Sequence, residues 1–321
     1  MSDERRRVVC LGETMAQVTP IRRERLAEAS EFALNIGGAE STVALYLADR
    51  GHDAAWISDV GDDPLGERML EELRHYGVDV TGVQRVPHAP TGVYFKDPHP
   101  DGTTKVHYYR AGSAASRMTV AALERIDWAS TRVLHLTGIT PRLSQTCAEL
   151  VEAGIERAQS SGVLVSFDVN YRPGLWSPRE AAPVLEQLAA ASDIVFVGLD
   201  EAETVWGPRP LGELHQRLAP RGVLVVKDGG VEAIEVTATR STVVAARAVD
   251  VVEPVGAGDA FAAGYLAGLL EGADAAARLD LGHELAARAL GSTRDFAPST
   301  TARLPKGADR TGAEPSGAEL R

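Results

Sequence analysis

Short apolar runs alternate with segments whose apolar residues recur at helical spacing along most of this chain. Residues 8–11, 54–57, 133–136, 163–167, 194–197 and 223–227 are too apolar for the in–out alternation of a half-exposed strand. Each predicts a strand covered on both faces. Between them, helices are predicted over 41–49, 64–76, 144–160, 178–191, 200–206, 211–218, 260–270 and 273–290. Some boundaries carry their own chemistry. Asp63 is placed to cap a helix whose first position is Pro64, and Gly51 and Gly77 end the helices before them.

Two segments break this rhythm. Residues 16–20 read as a short strand with 32–34 as partner, and 91–96 pair with 104–109 across the turn 98–102. That hairpin is too polar for a central core and reads as an excursion over one face. A second hairpin, 231–236 with 242–246, follows the sixth buried strand. Strands alternating with helices define an α/β class with a doubly wound, mostly parallel sheet flanked by helices. Ligands of such sheets sit at the carboxyl ends of the strands. Glu13, Asp168, Asp200, Lys227 and the turn at Gly256 all fall at or just past such ends. One domain is expected over 1–303, with lid strands near 14–35 and 91–110. The Gly-, Pro- and Ala-rich tail 304–321 is predicted to be disordered.

Composition narrows the partners. A formal net charge of −12 argues against nucleic acid or an anionic membrane. A local arginine cluster can still overrule that sign for a small anion. No run approaches a membrane span, and the polar start followed by a short apolar run does not read as a secretion signal, so the cytoplasm is expected. Cys10 and Cys147 lie in apolar segments and read as buried free thiols. His135 in its apolar strand reads as core, and the four tryptophans as packing. Arginine outnumbers lysine 29 to 4, a bias of composition more than a binding surface.

The stretch 251–261, Val-Val-Glu-Pro-Val-Gly-Ala-Gly-Asp-Ala-Phe, carries the chemistry. Its glycines let backbone N–H groups approach a ligand, and a helix start adds unpaired donors and a positive dipole end. Asp259 would stand beside any anion bound there, an unfavourable place unless it accepts a proton. Gly256, Ala257 and Gly258 are therefore candidates for holding developing phosphate charge, with Asp259 as general base. The bland alternative is a glycine-rich turn with an acid at a helix start. No G-x-x-x-x-G-K-[ST] loop occurs, and no G-x-G-x-x-G follows the first strand.

The segments Val255–Phe261 with Ala-Ala-Gly-Tyr after it, Gly37-Gly38-Ala39 and Val60-Gly61-Asp62-Asp63-Pro64-Leu65-Gly66 together resemble the ribokinase-like, phosphofructokinase B type carbohydrate kinases, in order over about 8–296. Within that family Gly37–Ser41, Tyr108–Ser116 and Phe167–Pro173 are similar to the branch acting on 2-keto-3-deoxygluconate. The resemblance implies a ribokinase-like fold with a small β-sheet lid, and transfer of the ATP γ-phosphoryl group to a sugar hydroxyl with Mg²⁺. It implies a homodimer or higher oligomer formed through the lid. It places Gly37, Gly38, Tyr94, Tyr108, Arg110, Arg172, Asp259 and Asp295 at the sugar acid. Asp168, Asn170, Lys227, Asp228 and Gly229 fall with the glycine turn at the nucleotide, and Glu203 near the metal through water. Arg110 and Arg172 suit a carboxylate, which neutral sugars lack; for each the alternative is a surface ion pair, and for Asp295 an exposed loop charge.

Three positions depart from the family. Glu253-Pro254 replaces Asp-Thr, which leaves a monovalent-cation site open; Asp200 replaces an Asn; and Thr42 replaces an Asn on the first helix. The rival readings are a kinase for a neutral sugar such as fructose and a non-catalytic sugar-binding protein.

Overall fold

The computed structural model describes residues 6–100 and 103–299; the predicted tail and part of the hairpin turn, Asp101 and Gly102, lie outside them. In chain order the elements are β1 (Arg7–Leu11), β2 (Met15–Pro20), β3 (Phe32–Gly37), α1 (Ala39–Asp49), β4 (Ala54–Ile57), β5 (Asp59–Gly61), α2 (Pro64–His75), β6 (Gln84–Val86), β7 (Val93–Pro98) and β8 (Thr104–Tyr109). After them come β9 (Thr131–Thr137), α3 (Gln145–Ser160), β10 (Leu164–Asp168), α4 (Pro178–Ala190), β11 (Ile194–Gly198), α5 (Leu199–Trp206), α6 (Leu211–Leu218), β12 (Val223–Asp228), β13 (Glu232–Val236), β14 (Ser241–Ala245), α7 (Ala257–Leu270) and α8 (Ala275–Leu290).

The main sheet runs β14-β13-β12-β11-β10-β9-β1-β4. It is parallel from β12 to β4, and β13 and β14 continue it antiparallel. Both faces are covered, which is why the strands lack polar alternation. Val9 and Leu11 pack with Leu134, Phe167 and the residues of α3 and α4. Val8 and Cys10 point the other way, to Trp56, Phe196 and the helices α1, α7 and α8. Chain order reverses at β1, which lies between β4 and β9, and ligand crevices of open α/β sheets form at such a point. No described helix is long and apolar enough to cross a membrane.

A second, four-stranded sheet runs β3-β2-β7-β8. Gln17 pairs with Tyr94, and Tyr94 with Tyr108, so all three side chains lie on one face of it. That face looks towards the carboxyl end of the main sheet, and Gln17, Tyr94 and Lys96 are buried there. A two-stranded sheet of β5 and β6 was absent from the sequence expectation, because three-residue strands carry no readable period.

The apolar stretch at 251–255 is a loop, not a strand: Val251 and Val252 are 59% and 49% exposed. The sheet has already ended in the β13–β14 hairpin, so this segment has no neighbour strand to join. It is tied instead to the end of α8, where Val252 N–H donates to the Leu290 carbonyl at 2.8 Å.

Helix α7 starts at Ala257, so Asp259 lies within its first turn. Its residues from Asp259 to Gly268 are buried on every side. Two glycines make that possible. A Cβ on Gly264 would overlap the Leu281 carbonyl oxygen and lie 2.6 Å from its carbon, and one on Gly282 would lie 2.8 Å from the Phe261 ring. Alanine gains about 1 kcal/mol over glycine in a helix, but here it must push two backbones apart, which costs about 1–3 kcal/mol. Gly264→Ala is therefore expected to lower stability in urea denaturation, against its helix propensity; an unchanged or raised midpoint would show that the α7–α8 contact is looser than described.

Candidate active site

The site is built at the end of β10. Asp168, the last residue of that strand, accepts from Lys227 Nζ at 2.8 Å and from the Asn170 N–H at 3.1 Å. The second bond closes an Asx-type turn and holds Asn170 in the left-handed region at φ 42°, which Asn tolerates better than most residues. Asn170 Nδ2 then donates to Asp259 Oδ1 at 3.0 Å. Two strand ends and a helix start thus meet in one chain of contacts.

Asp259 is 9% exposed. Burial pushes its carboxyl up to about 7, the Asp168 carboxylate adds to the rise, and Arg172 and Lys227 pull against it. Burial alone would lower the Lys227 pKa, but the Asp168 and Glu201 carboxylates outweigh it and raise it. The ammonium of Lys227 lies directly under the glycine turn: a Cβ on Gly258 would meet it at 3.3 Å. Gly256 caps α7 with φ 86°, a left-handed conformation that requires glycine, and a Cβ there would stand 2.8 Å from the Asp295 carbonyl oxygen. The Ala257 N–H donates to the Pro254 carbonyl at 3.4 Å, so the N–H groups of Gly258 and Asp259 are the unpaired donors at the start of α7.

Across the cleft Asp295, 6% exposed, accepts from Tyr94 Oη at 2.9 Å, Gln17 Nε2 at 2.9 Å and Lys96 Nζ at 3.2 Å. It is not an exposed loop charge. Burial and the Asp295 carboxylate raise the Tyr94 hydroxyl well above its ordinary pKa, so it stays protonated and donates. A side chain on Gly37 would overlap that hydroxyl and lie 2.6 Å from Asp295 Oδ2. Gly38 caps α1 where a Cβ would lie 2.8 Å from Thr14. Arg110 leaves β8 under the Tyr108 ring, its guanidinium 5.6 Å from the ring centre. Its Nε donates to Glu13 Oε2 at 2.6 Å, and Ser113 Oγ holds the other oxygen of Glu13 at 2.5 Å. Arg172 lies on the main-domain side, 3.5 Å from Glu201 Oε1. Tyr94, Tyr108, both arginines, Gly37, Gly38, Gly256, Asp259 and Asp295 line a single cleft.

Not every expected residue reaches it. Glu203 is exposed, and the carboxylate that enters the cluster is Glu201, two residues earlier. Positions 201 and 203 are about 200° apart around a helix, so only one can face inward. Glu201 Oε2 also caps α5 by accepting from Gly198 N–H at 3.1 Å, and Asp200 follows within the first turn of that helix. Asp228 and Gly229, expected at the nucleotide and not at the sugar, sit at the β12–β13 turn, half-buried and exposed, outside the lining of this cleft. Sequence reading missed Gln17, Lys96 and Glu40. Glu40 is buried, accepts from Thr137 and Thr140 at 2.7 and 2.8 Å, and has its pKa raised by burial. Its signal was a charge inside an apolar helix face; Lys96 and Gln17 offered only inward parity on their strands. Thr42 is buried, as are His135 (on Ser166 at 2.9 Å) and both cysteines.

A parallel sheet with a crevice at its switch point, a second sheet over that crevice, and a buried acid beside a bare helix start define a sugar kinase of the ribokinase-like class. The chain belongs to the pfkB family of carbohydrate kinases, whose profile matches residues 5–302. It is an ATP-dependent enzyme of that family. It is 37% identical to a 2-dehydro-3-deoxygluconokinase of Bacillus subtilis, over 82% of this chain and 83% of the relative. It is 32% identical to a 2-dehydro-3-deoxygalactonokinase of Haloferax volcanii, over 83% and 85%. A crystal structure of the 2-dehydro-3-deoxygluconokinase of Thermotoga maritima superposes with a TM-score of 0.83 at 26% identity, covering 92% of this chain and 95% of that one.

The Asp259 carboxyl sets a pH dependence. A base must be deprotonated, so kcat/KM is expected to fall as pH drops through about 7. Folding raises this pKa above its ordinary value, so the protein loses stability as pH rises from about 4 towards 7. Asp259→Asn is expected to abolish turnover while its Tm at pH 8 equals or exceeds that of the parent. A large Tm loss, or a flat pH profile between 5.5 and about 8, would remove Asp259 from this role.

Proposed function

We propose that the chain transfers the γ-phosphoryl group of ATP to a hydroxyl of 2-keto-3-deoxygluconate (2-dehydro-3-deoxygluconate). The observation that carries this reading is the pair of arginines in one cleft with Asp259: Arg110 comes from the lid and Arg172 from the main sheet. Each already faces a protein carboxylate, which fixes its plane and leaves further N–H groups to take a substrate carboxylate. Tyr94, Tyr108 and Asp295 would hold the sugar chain. Asp259 takes the proton of the hydroxyl, the oxygen attacks the γ-phosphorus, and the bond to ADP breaks. Negative charge spreading over the phosphoryl oxygens meets the N–H groups of Gly258 and Asp259 and the positive end of α7. Lys227 under the turn adds a fixed positive charge.

No cluster of three or more metal-ligating side chains occurs among the described residues. A divalent ion, Mg²⁺ in this reading, would therefore be held mainly by the nucleotide's phosphates, with Glu201 rather than Glu203 at the rim. Bound there, such an ion would supply positive charge that offsets the charge of the phosphates. Residues 1–303 act as one kinase domain in the cytoplasm, and the four-stranded sheet as a lid that excludes water from the transfer.

The sugar is tested with a coupled ADP-release assay over 2-keto-3-deoxygluconate, its galactonate-derived epimer, and fructose. The keto-acids are expected to be preferred; preference for fructose would overturn the reading. A charge-assisted contact contributes about 1.5–3 kcal/mol, so Arg110→Gln or Arg172→Gln is expected to raise KM for the keto-acid by about 10–100-fold. KM for fructose should barely change.

The outer face of the lid supports a homodimer. Val18, Leu34 and Phe95 line it, and Phe32 and Tyr109 at its edges are 42% and 68% exposed. Tyr109→Asp is expected to shift the sedimenting species towards monomer; an unchanged distribution would place the interface elsewhere.

A further inference from the structure

Lys96 lies in the middle of lid strand β7 and is 0% exposed. Its ammonium donates to Asp295 Oδ1 at 3.2 Å and reaches the Thr293 carbonyl oxygen at 3.5 Å. Glu253 Oε2 stands 4.0 Å away, and the other oxygen of Glu253 is buried with no hydrogen-bond partner among the described residues. These partners come from two segments, and the two segments flank Gly256. Glu253 precedes it by three residues. Asp295 presses on it from the other side, since the atoms a Gly256 Cβ would meet are the Asp295 carbonyl oxygen at 2.8 Å and Cα at 2.9 Å. One buried positive charge thus draws together both sides of the turn that starts α7. Without it, two carboxylates would repel each other in a low-dielectric setting, 4.0 and 3.2 Å from a vacated position.

The residue type is informative as well. This chain uses arginine 29 times and lysine 4 times, yet the buried Lys96 and the part-buried Lys227, whose ammonium lies under Gly258, are both lysines. A compact ammonium accepts oxygens from several directions, as a bound alkali ion does; a planar guanidinium imposes a fork.

We infer that Lys96 is a positioning residue, an internal cation delivered by the lid, that holds the Gly256 turn in its anion-binding form and makes turnover independent of added alkali cations. This rests on the reading of that turn as the phosphoryl-binding site, but not on which sugar is phosphorylated.

The test uses the full chain and whichever sugar the substrate panel selects. For the unaltered protein, kcat in potassium, sodium and tetramethylammonium salts at equal ionic strength is expected to agree within about twofold. Lys96→Met is expected to lower kcat by at least about tenfold, with a smaller change in nucleotide KM, and ammonium or potassium chloride should restore part of that loss. Clear activation of the unaltered protein by potassium overturns the inference, even if Lys96→Met fails to fold. So does a folded Lys96→Met with unchanged kcat, or with a loss that neither ammonium nor potassium relieves. A purely structural lysine would show no such rescue. If the panel finds no keto-acid activity but another sugar is turned over, the substrate reading fails and the cation measurements still decide this one.

Discussion

The Lys227–Asp168 ion pair is the contact on which the site depends. It sits at the carboxyl end of the main sheet, joins β12 to β10, and lies under the start of α7. Asp168 bound to Lys227 can spare its other oxygen for the Asn170 N–H, and only the resulting turn aims Asn170 at Asp259. Removing the ammonium would leave Asp168 buried and unpaired beside Asp259, and the two acids would compete for protons. Lys227 therefore does two things at once: it makes Asp168 affordable in the core, and it keeps Asp259 from rising beyond the range in which a base works near neutral pH.

The cleft as a whole is a problem in charge balance. Glu13, Glu40, Asp168, Asp259 and Asp295 are all buried within it or beneath it. Each is answered locally: Glu13 by Arg110 and Ser113, Glu40 by two threonines, Asp168 by Lys227, Asp295 by Tyr94, Gln17 and Lys96. Asp259 alone has a single neutral donor, Asn170, and its carboxyl is correspondingly the one pushed to about 7. The group left underserved is the group proposed to accept a proton from substrate.

Much of this was legible in the sequence, and the reason is periodicity. Buried strands without polar alternation gave the parallel sheet, and the caps at Asp63 and the stops at Gly51 and Gly77 located helix ends to within a residue or two. Gly256 and Asp259 were readable because a left-handed cap and a first-turn acid are local facts. Lys96, Gln17 and Glu201 were not: Lys96 and Gln17 meet Asp295 from 199 and 278 residues away, and Glu201 faces charges from neighbouring strand ends, which no local window contains. Glu203 was chosen over Glu201 by motif spacing; the helix phase, fixed by the Gly198 cap, decides between them. Arg110 was read as free to meet a substrate, whereas Glu13, known only as a rim residue, already orients it.

The lid and the chemistry share their supports. Gln17, Tyr94 and Lys96 come from β2 and β7, and all converge on Asp295; Asp295 packs on Gly256, and Gly256 starts the helix that carries Asp259. In the proposed reading, seating the lid and shaping the turn at Gly256 would then be one event rather than two. A sugar acid entering the cleft would touch the same face of the lid at Tyr108 and Arg110. Substrate binding energy spent on ordering that sheet is passed, through Asp295, to the turn where phosphoryl charge develops, which is how contacts remote from the reacting hydroxyl can raise kcat instead of only lowering KM. It also gives a physical reason for burying a lysine in the lid hairpin: the charge makes seating of the lid depend on the two loops behind the glycine turn being in place.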